Sequence, residues 1–137
     1  MKNFLLISLM ALLGLILAAC GSTTPAAADP ITIVKEYYAA VNSKNLDKAL
    51  SLLADDALAT APNSKLQGKE AIRKVLQENM ALDFRSENSN YRESNGEVRY
   101  DYIVYFGSNE VDRDTDGLTI VKNGKIVFDG LEQDKPQ

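Results

Sequence analysis

The chain has 137 residues, 15 of them basic and 19 acidic, which gives a formal net charge of −4. An acidic body argues against a nucleic-acid partner, because contacts to phosphates need clustered lysine and arginine. The absence of histidine and the presence of a single cysteine, Cys20, exclude histidine-based catalytic triads, imidazole metal sites and an internal disulfide.

The amino terminus has the pattern of an export signal. Lys2 precedes an apolar run over residues 4–19, which is shorter than the roughly 20 residues that a membrane-spanning helix needs. The run ends in Leu17-Ala18-Ala19-Cys20, which resembles the lipobox of bacterial lipoproteins. The resemblance implies a signal peptide over residues 1–19, lipid on Cys20, and an exported protein anchored to a membrane by that lipid. The alternatives are an ordinary secretory signal and an anchor that is never cleaved.

Residues 20–29 read as the lipidated cysteine and a flexible linker, and residues 30–137 as a single domain. The linker is small and polar and contains Pro25, so it has nothing to bury. A chain of this length and composition holds the domain within roughly 15–20 Å of the membrane. Gly21 lacks the aspartate that retains lipoproteins in the inner membrane of enterobacteria, so both the cell membrane and the outer membrane stay open as destinations.

Three helices are predicted from apolar residues spaced three and four positions apart. The first begins after an N-cap at Asp29, with Pro30 at the first helical position, where its missing N–H costs nothing. Asn45 caps the second helix, which ends near residues 55–56, and the third runs over residues 69–82.

Beyond residue 83 the apolar pattern changes to strict alternation, which is typical of strands. The Asn123-Gly124 pair between two apolar runs predicts a tight hairpin, because both residues tolerate positive φ. Helices followed by strands predict an α+β domain with the helices on one face of an antiparallel sheet. The predicted strands cover residues 57–61, 84–91, 97–106, 118–122 and 125–131, with a loop over residues 62–68.

The acidic stretch Asp112-Arg113-Asp114-Thr115-Asp116 resembles half of a calcium-binding loop. The rest of that loop pattern is missing, including its terminal glutamate. We interpret the stretch as a solvated acidic turn and predict neither a metal nor a cofactor.

Two stretches, YYAAVNSKNLDKALSLLADDALATAP and LQGKEAIRKVLQ, resemble the nuclear transport factor 2-like superfamily, which includes SnoaL-like polyketide cyclases and ketosteroid isomerases. The resemblance covers roughly residues 30–131. It implies a cone-shaped, cystatin-like α+β fold in which three N-terminal helices pack on a curved antiparallel sheet. The open end of such a cone is a pocket.

The resemblance to ketosteroid isomerases implies an oxyanion-binding role for Tyr37 on the first helix and, by a looser alignment, for Asp116. The position of the isomerase general base is Ala61, which cannot transfer a proton. We therefore interpret the domain as a non-catalytic module that binds a small molecule or a partner. The alternative is an enzyme of the cyclase, isomerase or dehydratase type that uses aspartate and tyrosine in the cone.

Aromatic rings with hydroxyl groups suit a pocket for a small apolar or amphipathic ligand. The alternative is that most of these rings fill the core or cover the sheet. A carboxylate inside the cone with a strongly raised pKa would favour the enzyme. The tyrosine- and valine-rich strands also offer a surface for association of two copies. The candidate pocket residues are Tyr37, Tyr38, Tyr100, Tyr102 and Tyr105.

Overall fold

The computed structural model describes residues 28–61 and 64–137. The predicted signal peptide, the lipobox with Cys20 and most of the linker lie outside these residues. No helix within the described ranges is long and apolar enough to cross a membrane. The helices are α1 (Pro30–Asn42), α2 (Leu46–Leu52) and α3 (Lys69–Ala81). The strands are β1 (Leu53–Ala61), β2 (Ser64–Gln67), β3 (Phe84–Ser94), β4 (Glu97–Phe106), β5 (Asn109–Lys122) and β6 (Lys125–Leu131), followed by a short 3-10 helix (Glu132–Asp134).

The predicted starts of the first two helices are confirmed. The side chain of Asp29 accepts a hydrogen bond from the backbone N–H of Thr32 at 3.1 Å, and Pro30 occupies the first turn of α1. The side chain of Asn45 caps α2 in the same way, by accepting from the N–H of Lys48 at 3.1 Å. Each cap satisfies a backbone donor that the helix itself leaves unpaired.

The sheet is mixed, so the prediction of an antiparallel sheet is wrong at one position. Its strand order is β2-β1-β6-β5-β4-β3, and every neighbouring pair is antiparallel except β1 and β6, which run parallel. The chain passes through β2, α3 and three further strands before β6 returns beside β1. A connection of that length has no hairpin to impose an antiparallel direction.

Two boundaries near β1 also differ from the prediction. The strand begins at Leu53, which the helical spacing places in the second helix, because Leu53 is buried and pairs with Ile126 of β6. Residues 64–67, predicted as loop, form the edge strand β2. An edge strand has largely exposed side chains, and this one carries little of the apolar alternation that marks a buried strand.

The predicted acidic turn is part of β5 instead. Asp112 lies opposite Val104, and Asp114 lies opposite Tyr102, both on β4. The backbone of β4 needs hydrogen-bond partners along its whole length, and this part of β5 provides them. The side chains of Asp112 and Asp114 are exposed, so their charge does not oppose the pairing.

The main core lies between the helices and one face of the sheet, called here the inner face. Val98 and Tyr100 of β4 lie on it, Thr119 of β5 is paired with Val98, and Asp129 of β6 is paired with Thr119. Directly paired residues project to the same side, so the register brings two polar side chains into an apolar layer. The helices contribute, among others, Ile33, Val34, Val41, Leu50, Ile72 and Leu76.

The outer face carries a second apolar cluster, formed by Leu118, Ile120 and Phe128. Arg99 is paired with Leu118 and so lies on the same face. Its guanidinium Nε donates to Glu132 at 2.7 Å, which holds the C-terminal segment against this side of the sheet.

Candidate functional site

Four side chains from four elements meet on the inner face through their oxygen atoms. Asp129 Oδ1 accepts hydrogen bonds from Thr119 Oγ1 at 2.7 Å, Tyr38 Oη at 3.0 Å and Tyr100 Oη at 3.3 Å. The hydroxyls also approach one another: Tyr38 Oη lies 2.8 Å from Tyr100 Oη, which lies 3.1 Å from Thr119 Oγ1. We call Tyr38, Tyr100, Thr119 and Asp129 the Asp129 cluster.

The position of the cluster follows from strand register and from one glycine. Thr119 and Asp129 are direct partners in the antiparallel pair of β5 and β6. Tyr100 lies opposite Gly117 on β5, where a Cβ atom would stand 2.5 Å from Cε2 of the tyrosine ring. Glycine therefore makes room for the Tyr100 ring, which is only 2% exposed, to lie flat against β5.

Burial shifts the pKa values of the ionisable groups in the cluster. Burial raises the pKa of Asp129, although the hydrogen bonds from Thr119, Tyr38 and Tyr100 act in the opposite direction. Burial, and then the nearby charge of Asp129, raise the pKa of Tyr38 and Tyr100 well above their usual value. Both tyrosine hydroxyls therefore stay protonated and remain donors at neutral pH.

The supply of protons in the cluster also favours a neutral Asp129. When Asp129 is ionised, the cluster has one proton each on Tyr38, Tyr100 and Thr119. If all three protons point to Oδ1, no proton lies between the two tyrosine hydroxyls, which are 2.8 Å apart. None lies between the hydroxyls of Tyr100 and Thr119 either, which are 3.1 Å apart. A proton on the carboxyl group supplies a fourth hydrogen bond. The arrangement can therefore hold a carboxylic acid that gives or accepts one proton.

A groove of about 320 Å³ runs between α1 and β3 beside the cluster. Tyr38 belongs to both, since its side chain lines the groove while its hydroxyl binds Asp129. Tyr91 also lines the groove, and its ring centroid lies 5.8 Å from that of Tyr100. The lining residues are Lys35, Tyr38, Ala39, Asn42, Ser86, Glu87, Asn88 and Tyr91.

A bulge in β3 brings Tyr91 to the inner face. The pairing of β3 with β4 shifts register between Ser89 and Arg92, and Asn90 within the shift has a φ of 51°. Strict alternation from Asn88 would place Asn90, not Tyr91, on the inner face. The extra residue of the bulge reverses this order and allows Tyr91 to pack on Tyr100.

A second depression, of about 370 Å³, lies between α1 and α2. Its wall includes Glu36 and Lys48, which form an ion pair at 2.8 Å. No member of the Asp129 cluster lines this depression.

The structure brings together two of the five candidate tyrosines, Tyr38 and Tyr100. Tyr37 is 3% exposed and packs edge-on against Tyr38 at 5.1 Å, and no hydrogen bond joins it to a described residue of the Asp129 cluster. Tyr102 packs beside the core, and its hydroxyl donates to Asp112 at 3.3 Å. Tyr105 lies on the outer face, where the guanidinium of Arg85 stands 4.1 Å from its ring centroid.

Asp116 lies on β5 apart from the cluster. Its Oδ1 is buried and has no hydrogen-bond partner among the described residues. Burial, and then the charge of Asp114, raise its pKa. Ala61 is the last residue of β1. Within residues 28–61 and 64–137, no group of three or more acidic or cysteine side chains is arranged to hold a metal ion.

Asp129, Thr119 and Tyr91 were missed by the sequence reasoning. Asp129 did leave a signal, because it is the one charged residue in the apolar run from Ile126 to Leu131. A carboxylate inside such a run is a candidate for a buried polar group. The position of Tyr91 depends on the bulge, which alternation alone does not reveal.

A family model and several solved structures match this chain. Residues 34–128 match the family model described as a SnoaL-like domain. No curated protein matches the chain.

Solved structures add three similar proteins. A nuclear transport factor 2-like protein of unknown function from Cytophaga hutchinsonii is 17% identical with a TM-score of 0.66, over 75% of this chain and 88% of that one. An LEH-like epoxide hydrolase from M. tuberculosis is 17% identical with a TM-score of 0.63, over 76% and 79%. A protein from Sinorhizobium meliloti proposed to be a polyketide cyclase is 20% identical with a TM-score of 0.61, over 76% and 99%. At these identities the likeness shows the fold: the nuclear transport factor 2-like cone, with a curved, mixed sheet of six strands.

Proposed function

The chain belongs to the SnoaL-like domain family, and we propose that it binds a small amphipathic molecule in the groove between α1 and β3. The observation that carries this proposal is the double position of Tyr38. Its ring forms part of the groove wall, and its hydroxyl forms part of the Asp129 cluster. A ligand that contacts this ring is therefore next to a group of hydroxyls and an acid.

The composition of the groove suits such a ligand. Aromatic surface is supplied by Tyr38 and Tyr91, and polar groups by Lys35 and Asn88, while the amide of Asn42 is already bonded to the backbone of Ser86. Ligand sites are commonly lined by apolar and aromatic side chains with a few polar groups that fix orientation, and their volumes start near ~300 Å³. A groove of about 320 Å³ is at the small end of this range, so the ligand is small.

We also propose that the domain works outside the cytoplasm, tethered by lipid on Cys20. The support comes from the sequence, in the export signal and the Leu17-Ala18-Ala19-Cys20 motif. The described domain begins at the end of the linker, where Asp29 caps α1.

Binding is tested with a library of small apolar and amphipathic compounds, by measuring the melting temperature of the domain. Ligands that bind the native state raise the melting temperature in proportion to the logarithm of their concentration. Tyr38→Phe keeps the ring and removes the hydroxyl, so it should weaken binding of compounds that carry an oxygen atom. Tyr105→Phe removes a hydroxyl on the outer face and is the matched control. No shift for any compound with the wild-type domain would refute the proposal.

A second candidate function is general acid catalysis by Asp129. It is favoured by a specific observation, since Asp129 is a carboxyl group on the inner face with a raised pKa and three hydroxyl partners. A neutral carboxylic acid can protonate the oxygen of an epoxide or a carbonyl group as its bond breaks or rearranges. The named relatives include an epoxide hydrolase and a proposed polyketide cyclase.

Catalysis is tested by incubating the domain with a panel of epoxides and unsaturated ketones and following turnover. Asp129→Asn keeps the size of the side chain and removes its titrating proton, so turnover should fall by at least about a hundredfold. Turnover that is absent in the wild-type protein, or equal in Asp129→Asn, would leave binding as the function.

A further inference from the structure

The groove contains a hydrogen-bond donor that the Asp129 cluster does not use. Asn88 Nδ2 is buried and has no partner in hydrogen-bond geometry among residues 28–61 and 64–137. Burial raises the pKa of the nearby Tyr91 hydroxyl, and the Asn88 side chain opposes that rise without forming a hydrogen bond of good geometry. The oxygen of the same amide, Asn88 Oδ1, accepts a hydrogen bond from Ser86 Oγ at 2.5 Å. A buried donor without a partner is unfavourable by roughly 1–3 kcal/mol. The residue as a whole is half-buried, so a rotation of its side chain would bring this donor to an oxygen acceptor on a ligand and remove that cost.

A positive charge lies on the same groove. Lys35 and Tyr38 are three residues apart on α1, so they share one side of the helix. Lys35 Nζ stands 5.0 Å from the ring centroid of Tyr91 across the groove. No ion pair joins Lys35 to an acidic residue in the described part of the chain.

Among the described residues of the groove wall, Glu87 is the one that is acidic, and it does not cancel this charge. Glu87 alternates with Ser86 and Asn88 along β3, so its side chain points to the outer face. There its carboxylate pairs with Arg85 and accepts from Tyr105 Oη at 3.5 Å. The side of the groove that faces a ligand therefore has positive character, an unpaired N–H donor and two aromatic rings.

We propose that the ligand is a small apolar acid, whose carboxylate binds to Lys35 Nζ and, after a rotation of the half-buried Asn88 side chain, to Asn88 Nδ2. Its apolar body packs between the rings of Tyr38 and Tyr91. This inference rests on the proposed function, since it names the chemical class of the ligand for the same groove. Charge-assisted hydrogen bonds are about twice as strong as neutral ones, so the carboxylate is preferred over an amide of the same shape.

The experiment compares phenylacetate with phenylacetamide, which differ only in the acid group. Each is titrated into the domain while the backbone amide signals of α1 and β3 are followed by NMR. Phenylacetate should shift these signals and bind about tenfold more tightly than the amide. Lys35→Gln removes the charge and Asn88→Leu removes the donor, each with little change of size, and each should weaken phenylacetate binding by about tenfold.

Lys74→Gln is the matched control, because Lys74 is an exposed lysine on α3 outside the groove. It should bind phenylacetate as the wild type does. Equal affinities for phenylacetate and phenylacetamide, or unchanged binding by both groove variants, would overturn the carboxylate proposal and leave the groove as a binding site. If phenylacetate does not bind while neutral library compounds raise the melting temperature, the class of ligand is wrong but the proposed function stands. If neither phenylacetate nor any library compound binds, both proposals are wrong.

Discussion

At the scale of single residues, the unusual feature is Asp129, a carboxyl group that is buried in an apolar core and surrounded by three hydroxyl groups. Burial raises the pKa of Asp129 toward neutrality, whereas burial moves the pKa values of Tyr38 and Tyr100 further above that range. Burial favours the neutral acid, while three hydroxyl donors favour the anion. Desolvation is the larger effect, so the folded protein holds the proton of Asp129 more tightly than the unfolded chain does.

This difference predicts how stability changes with pH. Protonated Asp129 favours the folded state, so its contribution is fully present below the unfolded pKa of about 3.9 and is lost as pH rises to the higher folded value. The wild-type free energy of unfolding, measured by urea denaturation, should therefore fall across this window relative to that of Asp129→Asn.

Asp56→Asn, which alters an exposed aspartate on β1, is the control and should follow the wild-type curve. Parallel curves for the wild type and Asp129→Asn would show that Asp129 does not hold its proton unusually tightly. The comparison between variants cancels the opposite contribution of Asp55, Asp83, Glu97 and Glu110, whose pKa values are lowered by basic neighbours.

At the scale of helices and strands, local features were predictable and distant ones were not. The caps at Asp29 and Asn45 bond to residues three positions away, so a short window of sequence contains everything needed. The hydrogen bond between Tyr38 and Asp129 joins residues 91 positions apart. Its formation depends on the parallel pairing of β1 with β6 and on the register of β5 with β6. Neither is encoded in the alternation of a single strand.

The family resemblance supplied the fold where periodicity alone could not. It implies a role for Tyr37, whereas the hydroxyl of the adjacent Tyr38 binds Asp129. A shift of one position on a helix rotates a side chain by about 100°, so an alignment error of one residue selects a different face. Asp116 was a loose match for an interior acid, and Asp129 on the next strand is the acid that the hydroxyls surround.

The bulge in β3 is the element that completes the groove, and its formation depends on Asn90. Asparagine accepts the left-handed conformation at φ 51° more readily than other residues except glycine. Asn90→Val should destabilise the domain by about 1–2 kcal/mol, because a β-branched residue is strained there. Loss of the bulge would also move Tyr91 away from Tyr100 and reduce ligand binding in the groove.

Denaturant unfolding measures the first effect, and the near-ultraviolet circular dichroism of the tyrosines reports the second. Asn90→Gly keeps the conformation accessible and should preserve the tyrosine signal. Ser89→Val places the same side chain one position earlier, outside the left-handed residue, and is the control. If Asn90→Val and Ser89→Val have equal effects, the conformation of Asn90 is not what maintains the bulge.

At the scale of the whole molecule, the groove and the proposed tether are connected through α1. Tyr38 lies eight residues after Pro30, which corresponds to about 12 Å along a helix. Under the proposed tether, a linker reach of roughly 15–20 Å would keep the groove within roughly 30 Å of a membrane. Association of two copies through the sheet stays a prediction.

The tether itself predicts a change in partitioning when Cys20 is replaced. Each buried methylene of an acyl chain contributes about 0.8 kcal/mol, so two or more chains hold a protein durably at a membrane. The acidic chain offers no cluster of basic residues to support binding to anionic lipid. Cys20→Ser should therefore move the protein from the detergent phase to the aqueous phase in a detergent partition assay, while Ser22→Ala, beside the motif, should leave it in the detergent phase.

Mass spectrometry of the wild-type protein should show a chain that begins at Cys20 and carries added acyl mass. A full-length wild-type chain in the detergent phase would instead identify an uncleaved anchor. A Cys20→Ser protein that stays in the detergent phase although its mass shows that residues 1–19 have been removed would rule out lipid on this cysteine as the tether.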